Sequence, residues 1–487
     1  MVLHQPFMNI PAATDKNAAP ELVHVGKVTV LAVIAALGGF LFGYDSSVIN
    51  GANKAIYAQF NITDGFFQGF VVSVALLGSA VGAFVGGRLA EKYGRKRVML
   101  VAAVLFLVAG LGSAFPFTIY DFMAWRVVGG FAIGLAAIVS PMYIAEIAPA
   151  HMRGRLSSLF QFAIVIGIFA TQVVNQIVLN LAGGSSSNDL GPIQAWQWMF
   201  VLMAVPATIY FLCAFTLPES PRYLVAINAG DRAKAVLESI FIEPVESKIT
   251  AIRASLDSEE KSSVSDLRAK GTFLLPLVWI GLALAIFQQF VGINAVFYYS
   301  NLIWEAVGYA PTQAFTTSTI ISLVNVVFTV VAILLVDRIG RKPLLLIGSA
   351  GMAVSLAVIA IVFETAPQGA NDAPILSHNM GLVAVVALNC FVAFFAATWG
   401  PVVWVLLGEM FPNSIRAAAM SITVMANWIA NFIVSETFPE LVHVGLGLAY
   451  GLFTLFAVLS FFFTWKWVRE TKGAELESMD ELEGVQA

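Results

Sequence analysis

Charged residues are scarce in this chain. Of its 487 residues, 11% are Asp, Glu, Lys or Arg and 59% are hydrophobic. An ordinary soluble domain is about 25% charged. Because each crossing of a lipid bilayer needs about 20 apolar residues of helix, the few charged residues mark the ends of membrane spans. The composition therefore favours a membrane protein over a soluble one.

Cysteines and catalytic motifs are also few or absent. The two cysteines, Cys213 and Cys390, lie inside apolar stretches, which argues against a disulfide framework. The sequence has no GxxxxGK[ST] phosphate loop, no HExxH or CxxC metal motif and no GxSxG nucleophile motif. We therefore expect no enzyme activity, no metal and no cofactor, and any uphill movement of a solute would depend on an ion gradient.

What the chain does contain is a series of long apolar intervals. Ten of them hold no charged residue, and these are 65–87, 98–120, 156–188, 190–218, 271–304, 306–336, 343–363, 373–408, 417–435 and 441–465. Two more, 28–53 and 122–145, hold one charge each. Each interval is long enough for a membrane helix, so the sequence predicts twelve transmembrane helices.

The placement of lysine and arginine predicts the orientation. The basic segments "RLAEKYGRKR" (88–97), "HMRGR" (151–155) and "DRIGRKP" (337–343) follow the second, fourth and eighth spans. Basic loops stay on the cytoplasmic side of a membrane. We therefore expect a multi-pass protein of the cell membrane with both termini in the cytoplasm.

Repeated motifs and one charged segment divide the chain into two halves. The motif "EKYGRK" after the second span recurs as "DRIGRK" after the eighth, and "EIAPAHMR" after the fourth recurs as "EMFPNSIR" after the tenth. Internal repeats of this size are typical of transporters. We predict an all-α membrane protein of two six-helix bundles. Its parts are a cytoplasmic N-terminal tail (1–26), a first bundle (27–218), a cytoplasmic helical linker (219–270), a second bundle (271–468) and a cytoplasmic C-terminal tail (469–487).

The acids and arginines of these repeats form a candidate cytoplasmic gate. Charge-assisted pairs between them would hold the cytoplasmic side closed and would break when it opens. The alternative is plain positive-inside topology with helix capping, which leaves the repeated acid–arginine spacing unexplained. The predicted gate residues are Glu91, Arg95, Glu146, Arg153, Asp337, Arg341, Glu409 and Arg416.

The two charges inside predicted spans are Asp45, in "GGFLFGYDSSVING" (38–51), and Arg126, in "FMAWRVVGG". If the first span ends near Asn50 and the fourth begins near Tyr120, both residues lie roughly 8–9 Å from the outer boundary. Charged residues within a membrane usually face the interior and pair. A change in their separation would alter the proton affinity of the carboxylate, so Asp45 is a candidate proton carrier. The alternative is a purely structural salt bridge.

These features resemble the sugar porter family of the major facilitator superfamily. The motifs that carry the resemblance cover essentially the whole chain, and they are "GGFLFGYD", "GGRLAEKYGRKR", "WRVVGG", "SPMYIAEIAP", "PESPRYL", "QQFVGINAVFYYS", "VDRIGRKPL", "WGPVVWVLLGEMFP" and "RETKG". The last one departs from the family, because Arg469 stands where a proline is usual. The resemblance implies a central cavity that opens to each side in turn, a monosaccharide substrate, and proton symport for an acid at the position of Asp45. The other expected partner is the lipid bilayer; we expect no nucleic acid and a monomer.

The resemblance also implies a sugar site. Gln and Asn amides donate and accept hydrogen bonds, and tryptophan rings offer an apolar surface to the C–H faces of a sugar. The implied sugar-binding residues are Gln161, Gln288, Gln289, Asn294, Asn325, Trp404, Asn427 and Trp428, with Phe42, Ile168, Tyr298 and Gly400 lining the cavity. Gln288 and Asn294 are about 120° apart on a regular helix, so a break near Gly292 would help them converge.

Ile168 bears on the choice of sugar. It lies seven residues after Gln161, on the same helix face. Some pentose porters of the family have a second glutamine there, whereas facilitative glucose transporters have isoleucine. The sequence favours a hexose, glucose first, and leaves xylose and galactose open. It also leaves open a facilitative uniporter of the same fold, and a non-transporting sugar receptor with less support.

Overall fold

The structure is a computed structural model that describes residues 22–149, 152–242, 244–257, 267, 274–367, 376–412 and 415–471. The predicted N-terminal tail falls almost wholly outside these residues, as do part of the linker and most of the C-terminal tail. The elements are α1 Val25–Gln59, α2 Gly65–Tyr93, α3 Arg95–Ala114, α4 Ile119–Ile147, α5 Arg153–Leu181, β1 Asp189–Leu190, β2 Ile193–Gln194, α6 Ala195–Val201, α7 Ala204–Thr216, α8 Pro221–Ala226, α9 Gly230–Ile240, α10 Glu246–Asp257, α11 Pro276–Phe290, α12 Ile293–Ala306, α13 Pro311–Ile339, α14 Arg341–Thr365, α15 His378–Ala397, α16 Trp399–Met410, α17 Arg416–Val444 and α18 Leu446–Trp467.

Twelve helical segments in the described part of the chain are long and apolar enough to cross a membrane. Nine are single helices, and three consist of consecutive helices, namely α6 with α7, α11 with α12, and α15 with α16. The predicted all-α fold with twelve membrane helices is therefore confirmed.

The helices pack mainly within two halves. In the first half α1 packs on α5, and α2 and α3 pack on α4; in the second half α14 packs on α15 and α18. The halves meet along α2 with α17 and along α5 with α13. Close approach within the first half depends on small residues, since a Cβ on Gly78 or Gly82 of α2 would collide with the α4 carbonyls of Val127 and Phe131.

The break predicted in the seventh span is present. Between α11 and α12, Gly292 has a φ of 87°, a conformation that glycine adopts readily and other residues rarely. A second break separates α15 from α16 at Thr398, which has φ −135° and ψ −87°. The first break lies between the predicted sugar-binding residues Gln289 and Asn294, and the second lies two residues before the predicted lining residue Gly400.

The first span is longer than the sequence indicated. α1 continues to Gln59, so the predicted end near Asn50 is wrong and Lys54 belongs to the helix. Asp45 therefore lies roughly 21 Å from the C-terminal end of α1, at 1.5 Å per residue. The extension is stabilised by contacts of α1 with α12 of the second half, which span-by-span reading does not reveal.

The predicted linker contains α8, α9 and α10, which pack on one another and on the first half. The Tyr223 hydroxyl donates to the Lys92 carbonyl at 3.3 Å. Residues Leu22–His24 run antiparallel to Ile240–Ile242, with His24 N donating to Ile240 O at 2.8 Å and Ile242 N to Leu22 O at 2.9 Å. The linker helices are thus tied to the start of the first span.

Candidate functional site

Asp45 and Arg126 form a buried ion pair between α1 and α4. Arg126 Nη1 donates to Asp45 Oδ1 at 2.7 Å, and Nη2 donates to the Asp45 carbonyl oxygen at 3.2 Å. The side chains are only 1% and 2% exposed for Asp45 and Arg126. The pairing predicted from the two isolated charges is present. Removing one member of a buried pair typically costs about 3–5 kcal/mol, because the other charge is left uncompensated.

The surroundings of this pair leave some of its hydrogen-bonding capacity unused. Within the described residues, Asp45 Oδ2 and Arg126 Nε have no hydrogen-bond partner. A Cβ on Gly129 would lie 3.1 Å from Asp45 Oδ2, and the guanidinium lies 5.8 Å from the centre of the Phe200 ring. Asp45 Oδ2 thus lies close to Gly129 of α4 and keeps its capacity to accept a hydrogen bond.

Four of the predicted sugar-binding amides form a connected chain, which we call the amide chain: Asn294, Gln289, Asn427 and Gln288. Asn294 Nδ2 donates to Gln289 Oε1 at 2.6 Å, and Gln289 Nε2 donates to Asn427 Oδ1 at 3.1 Å. Asn427 Nδ2 donates to Gln288 Oε1 at 2.8 Å. The chain brings together residues of α11, α12 and α17, as a common sugar site requires.

Phe42 and Tyr298, two of the predicted lining residues, make contacts between the halves. The Phe42 ring of α1 lies 5.8 Å from the Trp428 ring of α17, centre to centre. Tyr298 of α12 is buried, and its carbonyl accepts from Asn53 Nδ2 at 2.8 Å. The carbonyl of Gly400 accepts from Gln288 Nε2 at 3.2 Å. These contacts place the start of α16 and the middle of α1 beside the amide chain.

The remaining predicted sugar-site residues are positioned by other helices. Gln161 and Ile168 are half-buried on α5, Trp404 is half-buried on α16, and Asn325 is buried on α13. Within the described part of the chain, no hydrogen bond engages the side-chain amides of Gln161 and Asn325. They therefore keep their full capacity to donate and accept.

Two predicted gate pairs are present at the end of the molecule that carries Arg95 and Arg341, which we call the basic end. Arg95 is bidentate to Glu146, at 2.9 and 2.7 Å. Arg341 is bidentate to Glu409, at 3.0 and 2.6 Å. Each pair joins helices of one half, α3 with α4 and α14 with α16, so neither bridges the two halves.

Sequence reasoning missed a further part of this repeat. Glu219 accepts from the backbone N–H groups of Arg95 and Lys96 at 2.9 and 3.2 Å. Glu470 accepts from those of Arg341 and Lys342 at 2.9 and 3.0 Å. A carboxylate at a helix N-terminus is stabilised by the helix dipole. The signal was an acid followed by a hydroxyl residue directly after the sixth and twelfth spans.

The hydroxyl residues complete the two clusters. Ser220 Oγ donates to Glu146, and Thr471 Oγ1 donates to Glu409 at 2.5 Å. The clusters therefore repeat in composition and geometry, although "PESPR" and "RETKG" differ in sequence. Arg469, which departs from the family pattern, does not disturb the placement of Glu470.

Among the other predicted gate residues, Glu91, Arg153 and Arg416 form no such pair within the part of the chain that the structure describes. Glu91 and Arg153 are exposed, and no ion pair involves either within the described ranges. Arg416 Nε donates to the Phe411 carbonyl of its own half at 3.0 Å. The side chain of Asp337 lies outside the described residues. A gating role for the set stays a prediction.

The opposite end of the molecule, which we call the far end, carries direct contacts between the halves. Lys54 of α1 pairs with Glu305 of α12 at 2.5 Å. Asn301 Nδ2 donates to the Asn50 carbonyl at 3.1 Å, and Asn301 N donates to Asn50 Oδ1 at 3.0 Å. α1 and α12 therefore close the far end. The sequence did not indicate this, because the first span was expected to end near Asn50, before Lys54.

Comparison with known proteins gives a consistent result. A family model described as "Sugar (and other) transporter" matches residues 31–482. The glucose transport protein of Synechocystis is 49% identical over 96% of this chain and 99% of its own length. The D-xylose-proton symporter of Escherichia coli K12 is 37% identical over 93% of this chain and 95% of its own length. The arabinose-proton symporter of Bacillus subtilis is 33% identical over 97% of this chain and 99% of its own length.

Solved structures agree with the fold. The inward open conformation of the xylose transporter XylE from E. coli superposes with a TM-score of 0.79 at 35% identity, covering 93% of this chain and 99% of that one. Its partially occluded inward open conformation gives a TM-score of 0.78, covering 92% of this chain and 100% of that one.

Proposed function

The chain belongs to the sugar porter family of the major facilitator superfamily, and we propose that it carries a monosaccharide together with a proton across the membrane by alternating access. The relatives named above include two proton symporters and a glucose transport protein. No step of this process is enzymatic, and the energy for accumulation comes from the proton gradient.

The observation that carries the proposal is the buried Asp45–Arg126 pair. A carboxylate in this position is costly, and a buried ion pair is weak evidence for stability alone. The bond from Arg126 favours the charged form of Asp45, whereas burial favours the protonated form, and burial gains weight when Arg126 moves away. A conformational change that alters the distance between the two side chains therefore exchanges a proton with solvent. The free Oδ2 atom is where that proton binds.

The sugar binds beside this pair, between the halves. The exposed edges of the amide chain, together with Gln161 and Asn325, supply donors and acceptors for hydroxyl groups. The Phe42–Trp428 contact supplies apolar surface for the C–H face of the ring. We propose glucose as the favoured substrate, supported by the Synechocystis relative and by the apolar side chain of Ile168.

We further propose that the basic end faces the cytoplasm of the cell, with both termini on that side. Lysine and arginine concentrate there, as expected of cytoplasmic loops. Because the halves are bonded at the far end, this assignment makes the present conformation an inward-facing one. The likeness to inward open XylE supports this interpretation.

Uptake into proteoliposomes tests the proposal. Purified protein is reconstituted, and labelled glucose uptake is measured with the lumen alkaline, with no pH gradient, and with a gradient collapsed by a protonophore. Symport predicts accumulation above the external concentration only with the lumen alkaline. A uniporter would equilibrate the sugar at the same final level in all three conditions, and a receptor would bind glucose without uptake. Unlabelled xylose and galactose, added as competitors, identify the preferred sugar.

A further inference from the structure

The donors of the amide chain are unequally available to a ligand. A side-chain amide nitrogen carries two hydrogens. Asn427 Nδ2 donates to Ala285 O at 3.0 Å and to Gln288 Oε1 at 2.8 Å. Gln288 Nε2 lies 3.0 Å from Trp399 O and 3.2 Å from Gly400 O. Both amide nitrogens therefore donate their two hydrogens to groups within the protein.

Gln289 and Asn294 are different. Each donates a single hydrogen bond within the chain, Gln289 to Asn427 and Asn294 to Gln289. Each therefore keeps one hydrogen for a ligand, and Asn294 also keeps its carbonyl oxygen. Exposure separates only Asn294, which is half-buried, from Gln288 at 3% and from Gln289 and Asn427 at 7% each.

Bonds of the amide chain also lie at both helix breaks. Asn294 and Gln289 lie on opposite sides of the break at Gly292, and their bond spans it. Gln288 bonds the first residues of α16, directly after the break at Thr398. Asn427, from α17, bonds both glutamines and so fixes the breaks relative to each other.

We propose that Asn427 is a positioning residue of the sugar site, which acts through Gln288 and Gln289 and does not itself bind the sugar. This proposal rests on the proposed function, and it differs from the role that resemblance to the family implies for this position. Asn427 aims Gln289 at the sugar through the bond between Gln289 Nε2 and Asn427 Oδ1. It holds Gln288 through the bond from its own amide nitrogen.

Binding of deoxyglucose analogues to purified protein tests the proposal. The dissociation constant is measured for glucose and for analogues that each lack one hydroxyl, in wild type, Asn427→Leu, Gln289→Ala and the double variant. Leucine has the same number and branching of side-chain heavy atoms as asparagine but no hydrogen-bonding group. Because one or two ligand hydrogen bonds are misplaced, we expect Asn427→Leu to weaken glucose binding about tenfold. Any hydroxyl whose removal no longer weakens binding to Asn427→Leu should also be without effect in Gln289→Ala or in Gln288→Ala, which is measured in the same way. The loss of affinity in the double variant should be smaller than the product of the two single effects.

Two results would overturn the proposal. One is an analogue to which Asn427→Leu alone is insensitive, which would show that Asn427 has a hydroxyl of its own. The other is multiplication of the two single effects in the double variant. Asn294→Ala serves as the reference for a direct ligand. Removal of one particular hydroxyl from the sugar should no longer weaken its binding, and that hydroxyl should differ from the one identified with Gln289→Ala. If Asn427→Leu does not fold, Asn427→Ser, which also breaks the chain, replaces it. Absence of glucose binding in wild type would instead overturn the proposed function.

Discussion

At the scale of single residues, the proposed coupling depends on how Asp45 is held. Its Oδ1 atom is bonded to Arg126 and its Oδ2 atom is left without a partner among the described residues. The sequence was sufficient to predict the pair, because two isolated charges in apolar spans have few alternatives. It could not predict the free Oδ2 atom or the Phe200 ring over Arg126, since both depend on how α4 packs against its neighbours.

Asp45→Asn tests the role of this carboxylate. The amide cannot take up and release a proton, so accumulation of glucose driven by a pH gradient should fall to the equilibrium level. Exchange of internal for external glucose should continue, because exchange does not require the proton to be discharged. Both rates are measured in proteoliposomes. Asp189→Asn, at an exposed acid, is the matched control and should accumulate glucose normally; wild-type accumulation by Asp45→Asn would contradict the account.

Ile168→Gln tests the assignment of sugar specificity. Gln161 and Ile168 share a face of α5, so position 168 borders the same cavity roughly 10 Å along the helix axis. An added amide pairs with a hydroxyl of one sugar, and it stays unpaired when the other sugar has no hydroxyl in reach. The ratio of glucose to xylose uptake should fall, with a smaller effect on the proton requirement. Paired competition uptake measures it, with Ile168→Val as an apolar control; an unchanged ratio would remove Ile168 from the site.

At the scale of elements, the corners between α2 and α3 and between α13 and α14 are built alike. Gly94 has φ 93° and ψ 158°, and Gly340 has φ 103° and ψ 168°. This region is essentially restricted to glycine, and other residues are strained there by about 1–3 kcal/mol. In each corner a carboxylate, Glu219 or Glu470, lies where a Cβ would project. The repeated glycine in "EKYGRK" and "DRIGRK" therefore has a conformational cause.

Gly94→Ala should lower the thermal unfolding midpoint of the purified protein. The added methyl group is strained by the backbone and displaces Glu219 from the N-terminus of α3, so we expect a loss of about 1–3 kcal/mol. Gly87→Ala is the control, because among the described residues no atom beyond its own stretch of helix lies within 4 Å of a Cβ at that position and alanine favours a helix. Equal midpoints for wild type and Gly94→Ala would show that the corner is not constrained as described.

The elements also show where sequence reasoning succeeds and where it stops. Charge-free intervals predicted the twelve spans, because bilayer thickness fixes helix length, and residue separation on a helix predicted the break near Gly292. The break at Thr398, the extension of α1 to Gln59 and the pairing of Leu22–His24 with the linker were not predicted. They depend on contacts between distant parts of the chain, which leave no periodic signal in the local sequence. The same holds for the amide chain, whose members were identified but whose internal bonds were not.

At the scale of the whole molecule, the two ends have different kinds of contact. Ion pairs at the basic end lie within each half, so they stiffen the halves. At the far end, the Lys54–Glu305 pair joins the halves. Outward opening must break the Lys54–Glu305 pair, whereas the ion pairs at the basic end can persist through the transport cycle.

Lys54→Ala should shift the population towards the outward-open state. Lys54 is 64% exposed, and an exposed ion pair contributes about 0.2–1 kcal/mol, so the shift should be about 1.4- to 5-fold. The readout is the labelling rate of an Ile168→Cys reporter, without Cys213 and Cys390, by an impermeant maleimide added from the far end. The rate should rise.

Arg153→Ala and Arg416→Ala should act in the opposite direction. If either arginine pairs across the halves when the basic end closes, its removal favours the inward-open state, and labelling of the same reporter from the basic end should increase. Unchanged labelling in both variants would indicate that these arginines serve topology alone.

Movement of protons driven by sugar is the most direct test of symport. Wild-type proteoliposomes, loaded without sugar and with no initial pH gradient, receive external glucose in weakly buffered medium while external pH is followed. The account predicts that the medium becomes more alkaline as glucose enters, and that Asp45→Asn abolishes the change. Glucose entry at the wild-type rate with no change in external pH would contradict it.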